Sequence, residues 1–305
     1  MYFMRFFILG EILRHNGLQL QMTEWQFALL VLSIVLIAAG GNIINDYFDI
    51  RADRINKPHR VIIGKHVKRR VAMVSHIALN ASGIIIGGYL AWEVGMWKLV
   101  IIHLFAAASL WYYSVIFKRE LLIGNIVIGL LSALIPLTVG LFEIPLVMEA
   151  YGEQVREFFL QRAPDTDPNL FFKILYYFIL GFAGFAFLLT VIREIQKDLA
   201  DVKGDRVVGC RTLPVVVGEK RAKLIVVVLI GVSVITVLMV AFYLFGDYIT
   251  LSYTAVAVVI PMLISLFKTL QARERSQFVT AFNFTKLAMA AGLCYALIFA
   301  VLGVY

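Results

Sequence analysis

Long apolar runs dominate this chain and limit what it can fold into. Of its 305 residues, 61% are hydrophobic, well above the apolar share of an ordinary soluble domain. Several runs reach about 20 residues, the length that an α-helix needs to cross the hydrocarbon core of a bilayer. Because backbone amides inside a bilayer need internal hydrogen-bond partners, such runs form helices there. The sequence therefore predicts an all-α, polytopic membrane bundle.

About nine membrane spans are predicted, and residues 1–305 are treated as a single transmembrane domain. The first span, roughly residues 1–14, is short for a full crossing. The others lie near residues 24–46, 69–91, 96–116, 121–142, 170–196, 222–245, 249–271 and 279–304. The stretch 146–169 has apolar residues at helical spacing and is expected to form an amphipathic helix at the membrane interface.

Basic residues are concentrated in every second loop, which predicts the orientation of the bundle. The loops after the second, fourth, sixth and eighth predicted spans carry most of the lysines and arginines. Basic loops face the cytoplasm. The chain is therefore predicted to span the cell (inner) membrane with its N-terminus on the cytoplasmic side and its C-terminus on the external side. The net charge of +8 is explained by these loops, and no nucleic-acid partner is expected. The 2 cysteines and 5 histidines show no disulfide framework or zinc-binding pattern.

Two acidic motifs stand where apolar runs end and basic loops begin. The first contains Asn45, Asp46, Asp49 and Asp53, and the second contains Asp198, Asp201 and Asp205; Arg54 and Arg206 follow the last aspartate of each. On a helix the three aspartates of a motif share one face, where they repel each other and resist desolvation. A single cluster could be a solvated helix end. The repetition in one register favours a site that binds cations.

The two motifs fall on the same predicted side of the membrane, at the ends of two parallel spans. This arrangement suggests two related halves whose acidic faces meet across a cavity. Carboxylate oxygens suit Mg²⁺ or Ca²⁺, and Mg²⁺ bridges to phosphate oxygens while arginine and lysine contact the remaining ones. Such a site stabilises a departing diphosphate. Aromatic faces can shield an allylic cation. The candidates are Tyr47, Phe48, Tyr112, Tyr113 and Phe187, although for each of them alone packing or a place at the membrane interface is the more common role.

These motifs resemble those of the UbiA superfamily of intramembrane prenyltransferases, NDxxDxxxD followed by DxxDxxxD. The resemblance extends over essentially the whole chain and implies Mg²⁺-dependent transfer of a prenyl group from a prenyl diphosphate, within membrane lipid, to an acceptor. It implies catalytic roles for Asp49, Asp53, Asp201 and Asp205, and metal binding by these four with Asp46 and Asp198. The substrate-binding residues it implies are Asn45, Arg60, Tyr113 and Lys118. The arginines that close the two motifs, Arg54 and Arg206, are further candidates for substrate binding.

The acceptor is the least constrained part of this hypothesis. Residues 53–60, 193–206 and 211–214 look like the branch that prenylates geranylgeranylglyceryl phosphate, an ether-lipid precursor. An aromatic acceptor of the hydroxybenzoate or naphthoate type, as in quinone synthesis, is the alternative. An ion or metal transporter is the non-enzyme alternative, although a transporter needs acidic residues near the membrane midplane rather than at helix ends.

Overall fold

A computed structural model describes residues 1–56, 58–163 and 165–302, with the side chain of Arg60 also outside the description. Within these ranges the protein consists of helices joined by short loops. The α-helices are α1 (Gly10–His15), α2 (Glu24–Asn56), α3 (Arg69–Glu93), α4 (Val100–Val115), α5 (Ile123–Arg162), α6 (Leu170–Val208), α7 (Leu213–Val217), α8 (Glu219–Val240), α9 (Tyr248–Tyr253), α10 (Ile260–Gln271) and α11 (Arg275–Leu302). Segments Phe3–Leu9, Ala241–Phe245 and Thr254–Val259 are π-helical, and Pro58–Arg60, Trp97–Leu99 and Phe117–Arg119 are 3-10 turns.

Among the described residues, 8 helical stretches are long and apolar enough to cross a membrane. They are Glu24–Asn56, Arg69–Glu93, Trp97–Val115, Ile123–Arg162, Leu170–Val208, Glu219–Phe245, Tyr248–Gln271 and Arg275–Leu302. Their outward faces carry large apolar side chains, as expected for helices in contact with lipid. The predicted all-α, polytopic membrane bundle is confirmed.

The predicted first span is helical but is not one of these 8 stretches. Its two parts, Phe3–Leu9 and Gly10–His15, have 7 and 6 residues. Together they reach about 20 Å, whereas the hydrocarbon core is about 30 Å thick. Buried Arg5 donates to Glu24 at the start of α2, so this segment lies at the end of α2 opposite the first acidic motif. The sequence predicted the N-terminus on the same side as the acidic motifs, whereas the structure places the N-terminal segment on the opposite side.

The expected interfacial helix within residues 146–169 is instead the continuation of α5. Helix α5 runs without a break from Ile123 to Arg162, and both Pro136 and Pro145 lie inside it. In this extension Val147 and Val155 are buried in a cluster that includes residues of α6 and of the N-terminal segment. The apolar spacing therefore reflects packing between protein helices.

Glycines allow α3 to approach its neighbours closely. A Cβ on Gly83 would lie 2.7 Å from the backbone oxygen of Ser33 in α2. A Cβ on Gly87 would lie 2.3 Å from the His103 ring in α4. Small residues spaced four apart thus permit close helix contacts on two sides of α3.

A buried polar network fixes α6 against α10 and α11. Gln196 of α6 donates to Ser265 Oγ and Thr269 Oγ1 of α10, both at 2.8 Å. Thr285 of α11 donates to Gln196 Oε1 at 2.8 Å. Because every polar group of the Gln196 side chain has a partner, the network sets the rotation of α6 just before its acidic motif.

Candidate active site

The C-terminal parts of α2 and α6 enclose a cavity of about 590 Å³. Both acidic motifs contribute to its wall. The predicted site residues that line it are Asn45, Asp46, Asp49, Asp53, Lys118, Asp198, Asp201 and Asp205. Two parallel helices that end at the same side of the bundle thus bring together residues about 150 positions apart, because each helix presents one acidic face to the other.

Lys118 organises the carboxylate and amide groups of the first motif. Its ammonium donates to Asn45 Oδ1 at 3.0 Å and forms an ion pair with Asp49. The amide of Asn45 donates to Asp49 Oδ2 at 3.1 Å. Lys118 stands in the 3-10 turn after α4, directly opposite α2 in space. Two oxygens of α2 therefore converge on one cationic group.

Each aspartate of the second motif has a partner from a different element. Asn125 of α5 donates to Asp198 Oδ2 at 2.8 Å. Thr212, the N-cap residue of α7, donates to Asp205 Oδ2 at 3.1 Å. Arg275, the first residue of α11, donates to Asp201 Oδ1 at 3.1 Å. The carboxylates are thereby oriented by three separate helices.

Asn56 connects the ends of the two motif helices. Its amide nitrogen donates to the backbone oxygen of Asp201 at 3.2 Å, and its amide oxygen accepts from the Gly204 backbone N–H at 3.1 Å. A Cβ on Gly204 would lie 2.3 Å from this side chain. Glycine at this position therefore permits the contact that holds α2 against α6.

The donor set of the cavity fits a hard divalent cation. Carboxylate and amide oxygens are the ligands that Mg²⁺ prefers, and Lys118 marks a point where two such oxygens already meet a positive charge. Within the described residues, no three acidic, histidine or cysteine side chains are close enough to form a complete metal site. The carboxylates of the two motifs line opposite walls of the same cavity.

Three of the predicted substrate-binding residues do not line this cavity. Arg54 and Arg206 are exposed and are not among its lining residues, because a helical step of about 100° turns each away from the preceding aspartate. Tyr113 is 7% exposed and buried in the bundle; its neighbour Ser114 lines the cavity. The side chain of Arg60 lies outside the described part of the structure.

Several lining or supporting residues were not predicted as site residues. They are Asn56, Arg119, Asn125, Lys197, Thr212 and Arg275. Asn125 has a recognisable signal, since it is an amide within an apolar span. Arg275 has none, because its contact with Asp201 depends on how α11 packs.

Cys210 also lines the cavity, and its environment disfavours the thiolate. Burial raises the pKa of the Cys210 thiol, and the nearby Asp205 carboxylate acts in the same direction. Because the thiolate is the nucleophilic form, the thiol is a poor candidate for covalent catalysis.

A second cavity, of about 370 Å³, lies deeper in the bundle. Its wall is mostly apolar and includes Ile37 and Leu110. Asn42 and Arg193, which also line it, each precede a residue of the polar cavity by one helical turn on the same helix. The two cavities therefore occupy successive turns of the same helix faces, an arrangement suited to a ligand with an anionic head and an apolar tail.

Comparisons with known proteins point to one protein family. The UbiA prenyltransferase family matches residues 7–287. A digeranylgeranylglyceryl phosphate synthase from Thermococcus kodakarensis is 32% identical over 220 residues, which cover 70% of this chain and 64% of that relative. The match thus spans slightly less than two thirds of the relative's own length.

Solved structures share the fold at low identity. The apo structure of a UbiA homolog from Aeropyrum pernix K1 superposes with a TM-score of 0.63 at 14% identity, covering 96% of each chain. A UbiA homolog from Archaeoglobus fulgidus bound to DMAPP and Mg²⁺ gives a TM-score of 0.53 at 16% identity, covering 95% of each chain. With the family match over most of its length, this chain belongs to the UbiA prenyltransferase family.

Proposed function

We propose that this enzyme transfers a geranylgeranyl group from its diphosphate to the free hydroxyl of geranylgeranylglyceryl phosphate, in a Mg²⁺-dependent reaction that releases diphosphate. The observation that carries the proposal is that the polar cavity, lined by the acidic motifs, follows an apolar cavity by one helical turn on the same helix faces. The name of the Thermococcus relative supports this acceptor. Membership of a prenyltransferase family sets aside the transporter alternative.

In the polar cavity, acidic residues would bind the metal and basic residues would contact the diphosphate. The metal would be held by the acidic motifs, that is by Asp46, Asp49, Asp53, Asp198, Asp201 and Asp205. Bound there, Mg²⁺ supplies positive charge to a leaving diphosphate. Lys118, Arg119 and Lys197 supply further cationic groups to the same cavity, and Asn45 keeps Lys118 in place.

In the proposed reaction the allylic C–O bond of the donor breaks, and its electron pair leaves with the diphosphate. The charged cavity stabilises that negative charge as it develops, and the apolar cavity keeps water from the allylic carbon. The acceptor hydroxyl oxygen then bonds to this carbon, and its proton passes to a diphosphate oxygen. We place this chemistry at the cytoplasmic face of the cell membrane, within one domain formed by residues 1–305.

A transfer assay in membranes tests the proposal. Labelled geranylgeranyl diphosphate is offered with Mg²⁺ and either geranylgeranylglyceryl phosphate or 4-hydroxybenzoate. We expect label in the glyceryl phosphate product, and none after chelation of the metal. Label in the aromatic product alone would make this an enzyme of the quinone type and would overturn the proposed acceptor.

A further inference from the structure

Arg193 of α6 lines the deeper cavity one helical turn before Lys197, which lines the polar cavity. The side chain of Arg193 is 29% exposed. Its Nε atom is buried, with no hydrogen-bond partner in the described part of the chain. An unpaired N–H of a guanidinium inside a membrane bundle is costly, so its retention indicates a ligand that accepts a hydrogen bond there.

Glu194 forms ion pairs with two cationic side chains, Arg193 and Lys197. This carboxylate is 5% exposed; it forms an ion pair with Arg193 and accepts from Lys197 Nζ at 3.3 Å. Lys197 lines the polar cavity, while Arg193 lines the deeper one. One buried carboxylate therefore accompanies two cations, one lining each cavity. The ion pair with Glu194 is made by the terminal NH2 group of Arg193, so the Nε–H is not used in it.

The wall around Arg193 suits an anion that carries an apolar chain. Most of the deeper cavity is lined by aliphatic side chains, and its polar groups include Asn42, Ser132 and Thr190. Thr190 donates to Ser132 at 2.9 Å, so these two hydroxyls already satisfy each other in part. Arg193 precedes Asp198 by five positions, which is about 7.5 Å along the helix axis. It is thus close to the reacting end of the donor but separate from the acidic motifs.

We propose that Arg193 binds the phosphate headgroup of the acceptor lipid, at a site distinct from that of the donor diphosphate. The inference rests on the proposed function. In that acceptor the phosphate is attached one carbon away from the carbon that bears the attacking hydroxyl, so it must lie near the allylic carbon. It must also be kept from the diphosphate, since two phosphate groups repel. The planar guanidinium, with Nε unpaired, matches this need for directed hydrogen bonds.

The test compares two acceptors that differ only in the phosphate. Purified enzyme in lipid vesicles is given geranylgeranylglyceryl phosphate or the neutral geranylgeranylglycerol. Arg193→Met should lower kcat/KM for the phosphorylated acceptor by about 10- to 100-fold, the effect of losing a charge-assisted hydrogen bond. It should leave kcat/KM for the neutral acceptor and the KM for the donor unchanged. Arg193→Lys should restore part of the preference for the phosphorylated acceptor.

Arg221→Met is the matched control, because Arg221 is an exposed arginine of α8 that lines neither cavity. It should keep the preference of the unaltered enzyme. Glu194 retains Lys197 as a partner in Arg193→Met, so the variant should fold, which thermal unfolding checks. An equal loss with both acceptors, or a raised donor KM, would overturn the assignment of Arg193. An unaltered enzyme that uses neither glycerol lipid would instead overturn the proposed function itself.

Discussion

At the scale of single residues, the central carboxylate of each motif is oriented by an ion pair with a residue that lies far away in the chain. Asp49 pairs with Lys118, and Asp201 pairs with Arg275. The spacing of the aspartates made the acidic faces predictable, since it depends only on the helical repeat. The partners were less predictable, because a hydrogen bond between α6 and α11 is decided by packing that a single sequence does not display.

Replacing the central aspartate of either motif should abolish turnover. We expect Asp49→Asn or Asp201→Asn to lower kcat/KM by at least about 100-fold, because a weaker hold on the metal removes positive charge from the leaving diphosphate, an effect of about 3 kcal/mol. The measurement is Mg²⁺-dependent diphosphate release in vesicles. Asp165→Asn, an exposed aspartate outside both cavities, is the control and should be neutral. Full activity in either motif variant would refute the metal–diphosphate site.

At the scale of helices, the parallel course of α2 and α6 was predictable from the positions of the two acidic motifs, whereas the N-terminal segment was not. Residues 1–14 are apolar enough to suggest a span. However, Arg5 forms a buried ion pair with Glu143, which is 0% exposed, and this pairing explains why Arg5 is kept within an apolar run. The identity of that partner becomes visible only in the folded bundle.

The contact between α2 and α3 should be sensitive to a single methyl group. Gly83→Ala would bring a Cβ to 2.7 Å from the Ser33 backbone oxygen, which cannot move without shifting α2. We expect a loss of about 1–3 kcal/mol, the usual effect of overpacking, seen as a lower Tm in detergent. Gly181→Ala is the matched control, since nothing lies within 4 Å of the added atom, and its Tm should stay the same or rise slightly. An unchanged Tm for Gly83→Ala would show that the two helices separate without cost.

At the scale of the whole molecule, the class of fold followed from composition, while the number of crossings needed the structure. The charge of the loops predicts that the ends of α2 and α6 face the cytoplasm. Single cysteines test this orientation in a variant with Cys210→Ala and Cys294→Ala. In intact cells, a membrane-impermeant thiol reagent should label Glu153→Cys but not Lys220→Cys, both of which are exposed sites at opposite ends of the bundle. The reverse pattern would place the acidic motifs outside.

The deeper cavity lies among membrane-spanning helices, on the same faces as the polar one. A substrate whose chain occupies it reaches the enzyme by lateral diffusion in the bilayer. The quantity that sets the degree of saturation is then the mole fraction of substrate in the lipid, as for a reaction confined to two dimensions. At fixed amounts of enzyme and substrate, added inert phospholipid dilutes this surface and slows the reaction, although the volume of the sample is unchanged.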